Sequence, residues 1–211
     1  MSNESSPENL IPSTQESEQL KAEIPRIVAL RESPPEDSED LEDILWVDFD
    51  SGEEPEKGIK GAGPESYVIS PVSEQNLFSD KYINCTGVVG IGRDKVSGKN
   101  IAFISHQDPE FIVNKSREET DIFKTDLKAT LKELLARSET GTVEVVIFGG
   151  NDDPSDSASK KSTDYRRSVE LLNEIIRDGL GHDPAVLVGP NHGGGSRDVT
   201  VITKNRKIYI K

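Results

Sequence analysis

From residue 67 onward the apolar and polar positions fall into runs whose lengths match ordinary secondary-structure elements. Tyr67-Val68-Ile69, Thr86 to Ile91, Ile101 to Ile104 and Thr142 to Phe148 are short β-branched or aromatic-rich runs bounded by Gly, Asn or Asp, which predicts strands. Between the third and the fourth, Asp121 to Arg137 sets Ile122, Phe123, Leu127, Leu131, Leu134 and Leu135 at helical spacing on one face, and Thr120 with Asp121 offers a cap for its start. Asn151 to Ser162 is polar and reads as a surface loop. A second amphipathic helix is expected from about Asp164 to Asp178, with Val169, Leu172, Ile175 and Ile176 inward and a stop at Gly179 and Gly181. Ala185 to Val188 reads as a strand, and Asp198 to Thr203 with Lys207 to Ile210 as a terminal β-hairpin. No repeat of solenoid or propeller type is present.

Before residue 67 this patterning gives way to Ser, Pro and Glu, as in SPENLIPSTQESEQ and RESPPEDSEDLED. Such a composition buries too little apolar area to offset chain entropy, so residues 1–65 are expected to be a disordered acidic arm and residues 66–211 the folded domain. Two apolar islands interrupt the arm, Ile24 to Leu30 and Leu41 to Phe49, the second carrying the only tryptophan, Trp46. They either fold back onto the domain or dock on a partner protein.

Charge sharpens the division. The formal net charge is −14, of which residues 1–66 carry −13. An excess of this sign repels phosphate backbones and anionic headgroups, so a general nucleic-acid or membrane-surface binder is excluded as the leading class. No run approaches the roughly 18 apolar residues of a membrane span, and MSNESSPENLIPSTQ has neither the basic start nor the apolar centre of a signal peptide. One cysteine in 211 residues fits a reducing compartment, so a cytoplasmic protein is expected; the Ser/Pro-rich start leaves export into a host cell, without a cleaved signal, as the alternative.

The chemistry-bearing residues are few. Cys85 lies in Tyr82-Ile83-Asn84-Cys85-Thr86-Gly87, where a polar approach meets an apolar strand, and Gly87 leaves room for a close backbone or substrate approach. A lone cysteine is more often a small packing group than a nucleophile. His106 directly follows the run Ile101 to Ile104, and an imidazole within reach of a thiol would lower the thiol pKa and protonate a leaving group; the competing reading is a strand-end histidine bonded to a loop carbonyl. Gly193-Gly194-Gly195 lacks the Lys-Ser/Thr of a phosphate loop and reads as a turn. The three histidines and Cys85 lack the short spacing of zinc ligands, His182 reads as a helix C-terminal cap, and Asp152 and Asp153 read as solvated loop residues. No cofactor motif is found.

In order, Asn84-Cys85-Thr86, a strand ending in His106, Val145-Val146-Ile147-Phe148-Gly149-Gly150-Asn151, and Val188-Gly189-Pro190-Asn191-His192-Gly193-Gly194-Gly195-Ser196-Arg197 before a final hairpin resemble the CheD family of chemoreceptor glutamine deamidases, related to Cys-His deamidase toxins of the cytotoxic necrotizing factor type. The resemblance covers about residues 67–211. It implies an α+β fold with two mixed β-sheets packed face to face and helices outside, in α/β/β/α layers. It also implies Cys85 as nucleophile, His106 as base, and Ser79, six residues before the cysteine, as the hydroxyl that orients the histidine. The activity implied is conversion of glutamine to glutamate on a partner protein through a thioester, without a cofactor. The same site would perform transglutamination if an amine replaced water. The alternative from another class is a catalytically silent adaptor that docks a partner through Leu41–Phe49.

Overall fold

The computed structural model describes residues 26–35, 41–50, 52–62, 66–114, 116–152, 154–187 and 198–211. Their architecture is α+β, with two mixed sheets packed face to face. The inner sheet has six strands in the order β3 (Lys60–Gly61), β4 (Tyr67–Ile69), β7 (Asn100–Gln107), β6 (Thr86–Arg93), β8 (Glu144–Gly149), β9 (Ala185–Val186). The outer sheet has five, in the order β1 (Val28–Leu30), β11 (Lys207–Ile210), β10 (Val199–Ile202), β5 (Asn76–Ser79), β2 (Ile44–Trp46).

Alternation along the central strands fills two cores at once, because successive side chains of a strand point to opposite faces. Tyr67, Ile69, Val88, Ile101, Phe103, Val145 and Ile147 face three helices: α1 (Pro109–Asn114), α2 (Arg117–Arg137) and α3 (Lys160–Leu180). The intervening Val68, Val89, Ile91, Ala102, Ile104, Val146 and Phe148 face Leu77, Val199, Val201, Ile208 and Ile210 of the outer sheet. A strand buried on both faces reads as a nearly continuous apolar run, which is how these segments stand in the sequence.

The described helices all lie on one side, so the layer order is α/β/β and the expected second helical layer has no counterpart among the described residues. The far side of the outer sheet carries instead a groove of about 600 Å³, lined in part by Trp46, Phe78 and Tyr209.

The expected domain boundary at residue 66 also moves. The described part of the first apolar island and the second island fold back, β1 running parallel to β11 and β2 parallel to β5, and beyond them β3 pairs with β4. Val47, Phe49 and Ile59 are buried in the inter-sheet core, so the second island is a structural part of the domain despite its acidic surroundings. Glu144 ties down the first: its carboxylate accepts the Ile27 N–H at 2.8 Å and is paired at 2.9 Å with Arg206, which is itself wholly buried and donates to the Thr142 carbonyl at 2.9 Å.

The helices start earlier than the apolar spacing indicates. α2 begins with a capping box in which the Ser116 hydroxyl accepts the Glu119 N–H and the Glu119 carboxylate accepts the Ser116 N–H, so Thr120 and Asp121 are not its cap. Phe123, Leu127, Leu131 and Leu134 are buried as expected, whereas Ile122 and Leu135 lie on the flanks, 47% and 37% exposed. The Ser159 hydroxyl caps α3 by accepting the Ser162 N–H, and left-handed Gly181 closes it. The segment 188–197 and the Gly193–Gly195 turn lie outside the described residues, as does Asp153.

Candidate functional site

The outer sheet, the inner sheet and the crossover between them meet at one end of the inter-sheet core. β5 ends in Ser79, residues 80–85 cross over, and β6 begins at Thr86. β7 runs antiparallel to β6 with Thr86 opposite Gln107 and Gly87 opposite His106. Position 85 therefore shares a face with Gly87 and His106, and it is the face turned toward the outer sheet, where Cys85 packs at the edge of the core. Ser79 comes from the opposite sheet and stands 3.1 Å from His106 Nδ1. Ser79 and His106 thus meet across the two sheets, and Cys85 lies on the same face of the inner sheet as His106.

His106 is wholly buried. Tyr82 stacks on one face of its ring at a centroid distance of 3.7 Å and Phe49 on the other at 4.2 Å, both nearly parallel to it. The Tyr82 hydroxyl donates to the Ser105 carbonyl at 3.0 Å, which locks that plate in place. His106 Nε2 is buried without a hydrogen-bond partner among the described residues. A neutral imidazole that donates its Nδ1 proton to the Ser79 hydroxyl leaves a lone pair on Nε2, and an unpaired acceptor there is the state this environment tolerates.

Burial dominates the electrostatics. It lowers the His106 pKa to about 3, no charged neighbour opposing it, so the ring is neutral at physiological pH. Burial also pushes the Cys85 thiol up to about 12; the negative charge of Asp108 adds to the rise, and the Asn84 backbone N–H, donating to the sulfur, opposes it. The expected lowering of the thiol pKa by an imidazolium is therefore absent. In the resting protein the thiol and the imidazole are both neutral, and Nε2 has no hydrogen-bond partner among the described residues.

Cys85 lies in the wall of a cleft of about 540 Å³. The crossover (Lys81, Ile83, Asn84), the start of α1 (Asp108, Pro109, Glu110), the start of α3 (Lys160, Lys161, Asp164), Asn151 and the arm residues Phe49 and Asp50 complete its lining. Most of its charges are internally paired: Lys81 with Asp50, and Lys160 with Glu110 and, at 3.9 Å, with Asp164. The Asp108 carboxylate accepts the Glu110 N–H at 2.8 Å and so caps α1.

Phe148-Gly149-Gly150 supports the cysteine. Both glycines have φ near +80°, and the Gly150 N–H donates to the Cys85 carbonyl at 2.8 Å. A Cβ on Gly149 would stand 2.6 Å from that carbonyl oxygen, and one on Gly150 would stand 2.1 Å from the Tyr165 ring. The motif is thus a backbone clamp on Cys85, at the entry to β6. Gly87 has a different role from the one expected: the Phe148 ring, not a substrate, fills the space beside it.

Phe49, Tyr82 and Asn84 are site residues that the sequence reading did not assign. Asp108-Pro109 was the signal for α1, a capping aspartate followed by proline at the first helical position. Outside the cleft, Asp152 is paired with Arg166 at 2.6 Å rather than merely solvated, and His182 contacts the Asp183 carbonyl rather than the helix end. Among the described residues no group of His, Cys, Asp and Glu is placed to hold a metal ion, and no helix is long and apolar enough to cross a membrane. No family model and no curated protein matches the chain.

Proposed function

We propose that the chain is a cysteine-dependent protein glutamine deamidase. The observation that carries this reading is the Ser79–His106 pair: a hydroxyl fixes Nδ1 and leaves Nε2 unpartnered on the face it shares with Cys85. In the reaction Nε2 takes the thiol proton as the sulfur attacks the side-chain amide carbon of a glutamine, which avoids storing a charge pair in the resting site. The imidazolium then gives its proton to the departing nitrogen. Ammonia leaves, and a thioester joins Cys85 to the substrate. Water, deprotonated by the same Nε2, cleaves the thioester to glutamate and restores the thiol. The Asn84 N–H, which addresses the sulfur, is the backbone donor assigned to the oxyanion, a contribution of about 3 kcal/mol for one such donor.

The substrate is a protein, because the open cleft admits a projecting side chain with its backbone outside. The single free thiol suits a reducing cytoplasm, either of the producing cell or of a host. Transglutamination differs only in the final nucleophile.

The test is ammonia release from casein and from a glutaminyl dipeptide. The wild type is expected to release ammonia, with Cys85→Ser and His106→Gln at background. Turnover by Cys85→Ser at the wild-type rate would refute the reading.

The adaptor alternative keeps one observation in its favour. Trp46 is 57% exposed at the groove of the outer sheet, tilted against Phe78 at 4.5 Å. A partner lost on Trp46→Ala but kept on Cys85→Ser would favour it.

A further inference from the structure

We propose that Phe49, supplied by the N-terminal arm, is a positioning residue of the Cys85–His106 site: it closes the open face of the imidazole against the cleft and holds the ring in the plane set by Ser79 and Tyr82. This deepens the deamidase reading and rests on it for its catalytic meaning.

The two plates on His106 are built differently. Tyr82 is anchored by its hydroxyl inside the core. Phe49 lies at the rim, 8% exposed, with its ring 4.2 Å from the imidazole centroid and its remaining surface in the cleft wall. What aims it inward is local. β2 pairs with β5 over three residues, the Val47 N–H donates to the Phe78 carbonyl at 2.8 Å, and the Asp48 carboxylate accepts the Asp50 N–H at 2.9 Å in a tight turn around Phe49. Asp50 is then tied to Lys81 across the cleft mouth. Lys81 itself has φ 63°, a left-handed conformation that costs a non-glycine residue about 1 kcal/mol and that persists only where surrounding contacts impose it.

The groups against the imidazole are Ser79 from β5, Tyr82 from the crossover and Phe49 from the arm, with Val68 of β4 and Gly87 of β6 as its register partners and Cys85 on the same face of the sheet. The nearest charges are at the cleft: Asp108 and the Asp50–Lys81 pair. None of these is replaced when Phe49 is shortened. Removal of the ring therefore admits water to one face of His106 and changes little else, so the ring should gain a proton more readily.

The experiment follows the His106 imidazole by NMR titration in the full chain, with Phe49→Ala, Phe49→Leu and Phe49→Tyr, and with Leu77→Ala as a control that loosens the same core away from the ring. The titration midpoint of His106 is expected to rise by about one pH unit or more in Phe49→Ala, to rise less in Phe49→Leu, and to stay at the wild-type value in Phe49→Tyr and Leu77→Ala. The acid limb of the pH profile for ammonia release should move by the same amount, with kcat falling about tenfold and KM changing little. An unshifted midpoint in both Phe49→Ala and Phe49→Leu overturns the proposal, as does an equal shift in Leu77→Ala. A shifted midpoint in a chain that Cys85→Ser shows to have no cysteine-dependent turnover would sink the deamidase reading alone, since the titration does not depend on turnover.

Discussion

The two cores on either side of the inner sheet are made of the same kinds of residue and do different things. On the helix side the buried set is aliphatic and aromatic, its one titrating member, Tyr67, bonded through its hydroxyl to Asp126 at 2.7 Å and pushed, chiefly by burial, well above the ordinary phenol range. On the outer-sheet side the same apolar packing ends in Ser79, Tyr82, Cys85 and His106. The helix side closes onto α2 and α3, with a pocket of about 280 Å³ between them over Leu131 and Ile175, whereas the other side closes onto short strands and arm segments. The difference teaches that the side closed by short strands, the crossover and arm segments holds the Cys85 cleft, whereas the side closed by helices buries its one titrating group.

The comparison is tested hardest on its apolar side. Phe123→Ala removes a wholly buried ring from beneath α2 and should cost about 3 to 5 kcal/mol, read as a shift of the urea midpoint with an unchanged slope. Activity per folded molecule should stay at the wild-type value; a loss there would mean that the helix side also shapes the site.

His106→Ala should cost about 2 to 3 kcal/mol, because the ring fills a slot between Tyr82 and Phe49. Complete burial makes His106 a member of the core rather than a strand-end histidine bonded to a loop carbonyl, and the same urea experiment checks this.

Acid should separate the two sides further. The His106 pKa falls to about 3 in the folded chain and lies near 6.5 unfolded, so below pH 6.5 the unfolded state binds a proton the folded state refuses. Its contribution to stability is intact above pH 6.5 and is lost as pH falls toward 3, at up to about 1.4 kcal/mol per pH unit. Wild type and His106→Gln should therefore differ in the pH slope of stability between pH 6 and 4, and parallel slopes would count against a neutral buried imidazole. The smallest effect is expected at Trp46→Ala, under about 1 kcal/mol, since the side chain is more than half exposed.

Much of the inner sheet was legible because each strand is long or strongly apolar. Thr86 to Ile91, Ile101 to Ile104 and Thr142 to Phe148 stand in the sequence as runs that burial on both faces requires, and the two long helices as 3.6-residue periodicity. β1, β2 and β5 were harder to read for a physical reason: three or four residues are too few to show alternation, and what makes β2 a strand is its pairing with β5, not its own composition. Ser79 was named through the family resemblance, while the strand that carries it was not identified. Cys85 and His106 were recognisable as candidates for chemistry by residue type, but their shared face depends on the register that sets Gly87 opposite His106. Phe49 left no signal, because an aromatic ring in an acidic stretch looks the same whether it covers an imidazole or awaits a partner.

The parallel pairing of β1 with β11 and of β2 with β5 also sets an order of assembly. β10 and β11 stand between the two N-terminal strands, so the outer sheet joins its earliest residues to its latest, Val28 to Lys207. Contacts of such sequence separation form slowly and only once both ends exist. On a ribosome, the β6–β7 hairpin and the helices have their partners long before β10 emerges, and Ser79 lacks its neighbour Val199 until then. The His106 ring would therefore meet the Ser79 hydroxyl only among the last events of synthesis.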